Sequence, residues 1–421
     1  MKKHLVSMLI AGGLFAPLAH ATNGYFSHGY GMKSKGMAGV GIALPQDALA
    51  AATNPAGMVM VGDRIDFGLD WFRPSRSSQI IGNGFGPDAS YGGNATSNFF
   101  IPEFGYNTMM GADSSLGVSV YGNGGMNTDY AVNPFGRFGA LGTAGVNLEQ
   151  LFIAPTWSRK LNANNAIGVS LNLAYQRFSA KGLKPTFQGA SSSPANVSDN
   201  GTDSSTGYGL HIGWIGQVSS AVTLGATYQS KTKMGKFGKY SGLFAQQGSF
   251  DIPATYGVGV AVKAAPITTV AFDIQRIMYG DVPSIANPLS NLTVLGNPLG
   301  SNAGGGFGWQ NMTVYKIGVT HDWSQNLTLR AGWSHNNQQI PNSQTFFNIL
   351  APGVVRDHAT LGATWRLADK SELSVAYMHA FKTTVNGVNS IPPGNPPGYG
   401  GGNSNISLSE DSIGIAYGWN M

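Results

Sequence analysis

Ile167-Gly168-Val169-Ser170-Leu171-Asn172-Leu173-Ala174-Tyr175 places an apolar side chain on every odd position and a small or polar one on every even position. This is period two, the mark of a strand with one greasy face. Upstream, the same alternation runs through Ile65 to Trp71, Phe100 to Tyr106, Leu116 to Val120 and Leu151 to Trp157. Downstream it returns in Tyr208 to Trp214, Val222 to Tyr228, Ala254 to Val262, Val270 to Ile274 and Tyr315 to Val319. Leu327 to Trp333, Leu361 to Trp365, Leu373 to Tyr377 and Ile413 to Met421 complete it. The tally is about 14 strands, an even number, as expected when an antiparallel sheet closes in an outer membrane with both termini on one side.

The connections between these strands alternate in length. Short turns fall at 109–114, 159–165, 218–221, 263–267, 321–326 and 366–372, and long Gly/Asn/Ser/Pro-rich loops lie between them, as at 74–98, 181–204, 278–310 and 382–405. A soluble sandwich has no reason for such alternation, whereas an outer-membrane barrel keeps short turns on the periplasmic side and long loops outside. Trp71, Trp157, Trp214, Trp333, Trp365 and Trp419 stand near strand ends, where interfacial girdles form.

Composition agrees. Only 11% of the 421 residues are charged, against about 25% in soluble domains, so the chain needs an apolar surrounding beyond its own core. There is no Cys, which removes disulfides, thiolate chemistry and Cys-type zinc sites. A net charge of +5 with scattered Lys and Arg argues against nucleic acid as a partner. His28, His211, His321, His335, His358 and His379 are dispersed without HExxH spacing, and no Gly-x-Ser-x-Gly elbow occurs. The chain therefore reads as a non-enzyme that needs no cofactor or metal.

Residues 1–21 read as a cleaved leader: Lys2 and Lys3, an apolar run from Leu5 to Leu18, and the cleavage signal Ala19-His20-Ala21. The exported chain then starts at Thr22. Residues 22–62 precede the first strand and form a second unit ahead of a barrel at 63–421. Pro45, Asp47, Asn54 and Pro55 within them exclude a lipid-facing helix. A barrel this wide has a lumen to fill, and an apolar, Gly/Ala-rich segment suits that place better than a solvated tail. The expected arrangement is a short helical plug, with Leu44 to Ala52 as the helix and Asn54-Pro55 ending it.

The segment Gly36-Met37-Ala38-Gly39, Ala43 to Asp47 and Asn54-Pro55-Ala56 resembles the start of the FadL family of outer-membrane transporters for long-chain fatty acids and other hydrophobic compounds. Strand three running into Tyr121-Gly122-Asn123-Gly124-Gly125 is similar too, as are Tyr315 to Gly318, Leu327 to Trp333, Asp357-His358, Leu361 to Thr364 and Tyr377 to His379. The resemblance implies an all-β transmembrane barrel with an N-terminal hatch in its lumen, in the outer membrane of a Gram-negative bacterium. It also implies passive uptake of a hydrophobic ligand, with hatch rearrangement and lateral exit at a kink in strand three.

Within that reading Asp47, Asn54, Pro55 and Ala56 form the hatch motif, and Gly122, Asn123, Gly124 and Gly125 the kink. Two loops supply a capture surface: Leu183 and Phe187 in one, and Met234, Lys236, Phe237, Tyr240, Leu243 and Phe244 in the other. The lysines of the second loop suit either a ligand carboxylate or anionic lipopolysaccharide. Strand parity points Lys316 and Arg330 into the lumen as candidates for a ligand headgroup or for hatch acids. Arg177 resembles the family's headgroup-binding basic residue, yet it shares the parity of lipid-facing Tyr175, so only a bulge would turn it inward. The expected partners are a hydrophobic small molecule and outer-membrane lipid, with the protein a monomer. The alternative is a general diffusion porin, or a structural or adhesin barrel.

Overall fold

The computed structural model describes residues 22–394 and 398–421. The leader expected at 1–21 lies outside the described residues. Fourteen long strands close into one antiparallel barrel. In chain order they are β1 (Arg64–Ile81), β2 (Phe99–Met109), β3 (Ser114–Tyr130), β4 (Ala144–Lys160), β5 (Asn165–Lys181), β6 (Asp203–Gln217) and β7 (Val222–Gln229). β8 (Thr255–Ala265), β9 (Thr268–Ile277), β10 (Met312–Asp322), β11 (Leu327–Asn336), β12 (Asp357–Arg366), β13 (Glu372–Val385) and β14 (Asn403–Asn420) follow. Each pairs with its sequence neighbour, and β1 closes on β14 from Arg64↔Asn420 to Ile81↔Asn403. Every stretch read as alternating in the sequence lies on one of these strands, save that Ala254 and Met421 fall one residue beyond a strand end.

The alternation sorts side chains by face. On β5, Val169, Leu171, Leu173 and Tyr175 are exposed while Ser170, Asn172 and Gln176 are buried. The exposed set is the lipid-facing surface, whose burial in hydrocarbon replaces a core. The inner face is small and polar because it packs on residues 22–62, which lie inside the lumen. A Cβ at Gly168 would sit 2.4 Å from the Pro55 carbonyl oxygen, and one at Gly213 would fall 1.8 Å from Asn54 Oδ1. Glycine there is a requirement of close approach rather than of flexibility.

The lumenal segment departs from its expected shape. Leu44 to Ala52 is not a helix: within it only Ala50–Ala52 forms a 3₁₀ turn, and the one α-helical turn of the segment lies earlier, at Met32–Lys35. A short helix is costly to nucleate, and here the backbone donors go elsewhere: Leu49 N–H to Asp47 Oδ1 at 3.0 Å, Ala50 N–H to the Asp47 carbonyl at 3.1 Å, and one to the wall. Ala48 N–H donates to Asp66 Oδ2 at 2.9 Å. Asn54 does not end a helix but begins one: its side chain accepts from Ala56 N–H at 3.1 Å and caps the 3₁₀ helix Pro55–Met60.

Candidate functional site

The wall is interrupted at β3. Pairing between β2 and β3 runs only from Met109↔Ser115 to Phe104↔Val120. Pairing of β3 with β4 shifts register between Gly122 and Gly124, so Asn123 is the extra residue of a β-bulge. The extra residue flips strand parity. Ser115, Ser119 and Tyr121 are buried below it, and Met126, Thr128 and Tyr130 above it. Phe99 to Glu103 therefore leave β3 unpaired over a window. The window is closed at its top by a bridge between Asn94 and Asp129 and measures roughly 30 Å at about 3.3 Å per residue.

Residues 25–27 fill part of that window. Gly125 N–H donates to the Tyr25 carbonyl at 2.8 Å, Ser27 N–H donates to Asn123 O at 3.0 Å, and Phe26 bridges Gly124. A Cβ on Gly124 would lie 1.8 Å from the Tyr25 oxygen, so glycine at this position admits the N-terminal segment. Asn123 holds the bulge from inside, its amide donating to Gln150 Oε1 at 3.1 Å and its carbonyl accepting from Tyr30 OH at 3.1 Å.

Two apolar cavities lie on the lumenal side, one beside the window and one beyond it. The outer one, about 30 Å³, is lined by Phe135, Phe178, Leu183, Phe187, Leu243, Phe244, Phe307, Phe347 and Leu350, with no charged group among its described lining. The inner one, about 20 Å³, is lined by Gly24, Phe72, Arg76, Met126, Trp309, Ala351 and Leu408. Each has room for a water or two, so an organic guest must displace side chains. Phe307, Trp309, Leu350 and Ala351 form the partition between them. Thr128 Oγ1 donates to Leu350 O and Tyr130 OH to Ile349 O, both at 2.8 Å, tying this partition to β3.

The structure thus brings Leu183, Phe187, Leu243 and Phe244 together. Phe237 and Tyr240 stand behind them on Phe178, with ring centroids 5.6 and 4.8 Å away. Met234 and Lys236 lie apart from the cavity. Met234 is half-buried beside Tyr208 and Leu151 on the outer wall, and Lys236 is exposed with Nζ 3.4 Å from Gln247 Oε1.

The lumenal basic residues are not grouped into one site. Lys316 and Arg330 point inward as parity requires, but both are occupied. Lys316 Nζ donates to the His28 carbonyl at 2.9 Å, and Arg330 donates to Gln46 Oε1 at 2.9 Å and Thr364 Oγ1 at 2.7 Å. Their partners are carbonyl and amide groups of the 22–62 segment and a wall hydroxyl rather than the Asp47 carboxylate. Arg177 is a correction to the lumen set. β5 carries no bulge, so Arg177 keeps the outer parity, half-exposed, and pairs with Glu149 of β4 at 3.5 Å.

Asn54 ties the segment to the wall, its Nδ2 donating to Trp214 O at 3.1 Å and, within the segment, to Ile42 O at 2.8 Å. Two lysines passed over in the sequence do as much. Lys33 meets Glu372 at 2.5 Å, and Glu372 also meets Arg64 at 3.1 Å. Lys35 meets Asp70 at 2.9 Å and Glu103 at 3.5 Å, all three side chains 4% exposed. Two clues were in the sequence: lysines inside an otherwise apolar stretch, and the inward parity of Asp66 and Asp70. Asp47 lies beside this cluster. Burial, and then the Asp66 carboxylate, push its carboxyl up to about 7. Burial, and then the Lys35 ammonium, hold the His28 imidazole down to about 3, which leaves it neutral at physiological pH.

Comparison with known proteins agrees with this architecture. The profile of the family described as "Outer membrane protein transport protein (OMPP1/FadL/TodX)" matches residues 18–395. No curated protein matches the sequence. Among solved structures, the Pseudomonas putida toluene transporter TodX superposes with a TM-score of 0.69 at 19% identity, over 94% of this chain and 99% of that one. A Pseudomonas aeruginosa FadL homologue gives 0.71 at 15% identity over 94% and 99%. The Ralstonia pickettii toluene transporter TbuX gives 0.65 at 17% over the same shares. At these identities the superpositions establish the fold, and the family match over most of the chain establishes the rest: the protein belongs to the OMPP1/FadL/TodX family of Gram-negative outer-membrane transport proteins for hydrophobic compounds.

Proposed function

We propose that the protein carries hydrophobic molecules, long-chain fatty acids or related compounds, passively from the cell exterior into the outer membrane by way of the window in β3. The observation that carries this reading is the bulge at Asn123, with the loss of β2–β3 pairing above it. A guest gains about 0.8 kcal/mol for each CH₂ withdrawn from water, so a water-filled pore would hold it back. A chain of apolar cavities ending at a lipid-facing gap would not. The capture loops offer Leu183, Phe187, Leu243 and Phe244 to the guest first. It then crosses the Phe307–Trp309 partition to the inner cavity, and leaves when the 22–62 hatch gives up its hold on β3.

Lys231, Lys233, Lys236 and Lys239 serve the surrounding lipopolysaccharide in this reading, since none lines a cavity on the route. The protein acts as a monomer without catalysis, and Lys316 and Arg330 hold the hatch rather than a ligand headgroup. The test is deletion of Asn123, which removes the extra residue and restores one register along β3. Uptake of a labelled hydrocarbon or fatty acid by cells should be lost while the barrel still assembles. Unchanged uptake in an assembled variant would overturn lateral exit. Large, steady ion conductance of the unaltered protein in planar bilayers would favour an open diffusion porin instead.

A further inference from the structure

Thr22 is 1% exposed inside the barrel, its hydroxyl donating to the Phe26 carbonyl at 2.8 Å and its N–H reaching the same oxygen at 3.4 Å. On the inner face of β14, Glu410 is also 1% exposed, and neither of its carboxyl oxygens has a hydrogen-bond partner among the described residues. Buried polar groups are nearly always partnered, and an unpaired carboxyl is among the most unfavourable exceptions. Arg76, on the neighbouring strand, reaches it with its charge but gives it no hydrogen bond. Its donors go to Asn94, Asn127 and Thr96.

Glu410 and the start of the described chain lie at one level of the lumen. The His358 ring rests against the Thr22 backbone. His358 pairs with Ala380, and Ala380 with Glu410, so the two inward side chains are level and two strands apart. That is about 10 Å between backbones at roughly 4.8 Å per strand. On the other side of Glu410, Pro74 is its direct cross-strand partner and lines the inner cavity together with Gly24. Thr22 and Gly24 therefore bracket the orphan carboxyl.

We propose that the chain is cut between Ala21 and Thr22 and that the α-ammonium group so freed pairs with Glu410 inside the barrel. The cut is hydrolysis by a leader peptidase during export. Water adds across the amide, the new carboxylate leaves on Ala21, and the Thr22 nitrogen takes up protons to become an ammonium. That group has three donors. The Phe26 carbonyl takes one, and the two Glu410 oxygens accept the others as charge-assisted hydrogen bonds. Each group supplies what the other lacks: a buried cation needs a counter-ion, and Glu410 needs donors. Tyr25 to Ser27, which fill the window, follow directly in the chain, so the pair ties the window's filling to β14. The inference concerns maturation and stands independently of which guest is carried.

The test uses the full-length protein purified from outer membranes. Its intact mass should correspond to a chain starting at Thr22, and a start at any other residue overturns the proposal. An aldehyde selective for α-amines at pH 7 should label the folded protein roughly 100-fold more slowly than the urea-unfolded protein, the scale of a broken buried ion pair. Glu410→Gln should bring folded-state labelling within about 10-fold of the unfolded rate, and Glu410→Asp should restore much of the protection. Fast labelling of the unaltered folded protein, or full protection in Glu410→Gln, overturns the pairing. If Glu410→Gln fails to assemble, the mass and labelling of the unaltered protein decide alone.

Discussion

Lys35 holds two acids, and the consequence of losing it follows from burial. With Asp70 and Glu103 each 4% exposed, removal of the ammonium takes from both carboxylates a counter-ion they share in a low-dielectric lumen. Removing one partner of a buried pair costs about 3–5 kcal/mol. Lys35→Met should therefore loosen the hatch by that amount, seen as channel openings in planar bilayers and a lowered melting temperature of the purified barrel. Asp47 gives a pH dependence of definite sign. Its carboxyl, facing Lys33, Arg64, Asp66 and Glu103, titrates at about 7 when the hatch is docked, against 3.8 when free. A raised carboxyl favours the docked state fully below pH 3.8, and that contribution is lost as pH rises toward 7. Spontaneous openings should become more frequent from about pH 4 to pH 7 and level off above that, and Asp47→Asn should flatten the trend. Bilayer recording across that range checks both.

Among the elements, β3 carries the most specific demand. Gly124→Ala adds a Cβ that would fall 1.8 Å from the Tyr25 carbonyl oxygen, so the N-terminal segment must give way. The expected result is faster hydrogen exchange at Gly125 and Ser27, whose N–H bonds depend on that approach, with exchange of the β3–β4 ladder below Gly122 unchanged. The glycines of this run were legible in the sequence as a kink. Their second use, admitting Tyr25 to Ser27, was not, because it depends on a partner nearly a hundred residues away. Arg177 shows the reverse. Parity alone placed it outside, resemblance pulled it inward, and the unbroken register of β5 sided with parity. The helix expected at Leu44 to Ala52 gave way to tight turns, with the Ala48 N–H on the wall acceptor Asp66 and the Leu49 N–H on Asp47, a competition invisible to local propensity.

On the scale of the whole molecule, the barrel was readable because lipid imposes period two on every strand and alternates the lengths of their connections. The interior was less so. The buried run Phe346 to Val355 belongs to a loop between β11 and β12, and only its unusual apolarity for an extracellular loop marked it. Deleting residues 22–53 should remove the hatch contacts with Asp70, Asp273 and Lys316 together. It should also raise single-channel conductance to that of an open barrel, and an unchanged, silent bilayer would sink the assignment of this segment as the plug. The seam between β1 and β14 adds a constraint in time. Residues 22–62 run directly into β1, the strand on which β14 closes the ring, and Gly168 and Gly213 leave no room for a Cβ against them. Insertion must therefore lay the plug into the nascent trough before the seam zips, so assembly order is written into the connectivity. A plug supplied afterwards as a separate chain would arrive at a closed door.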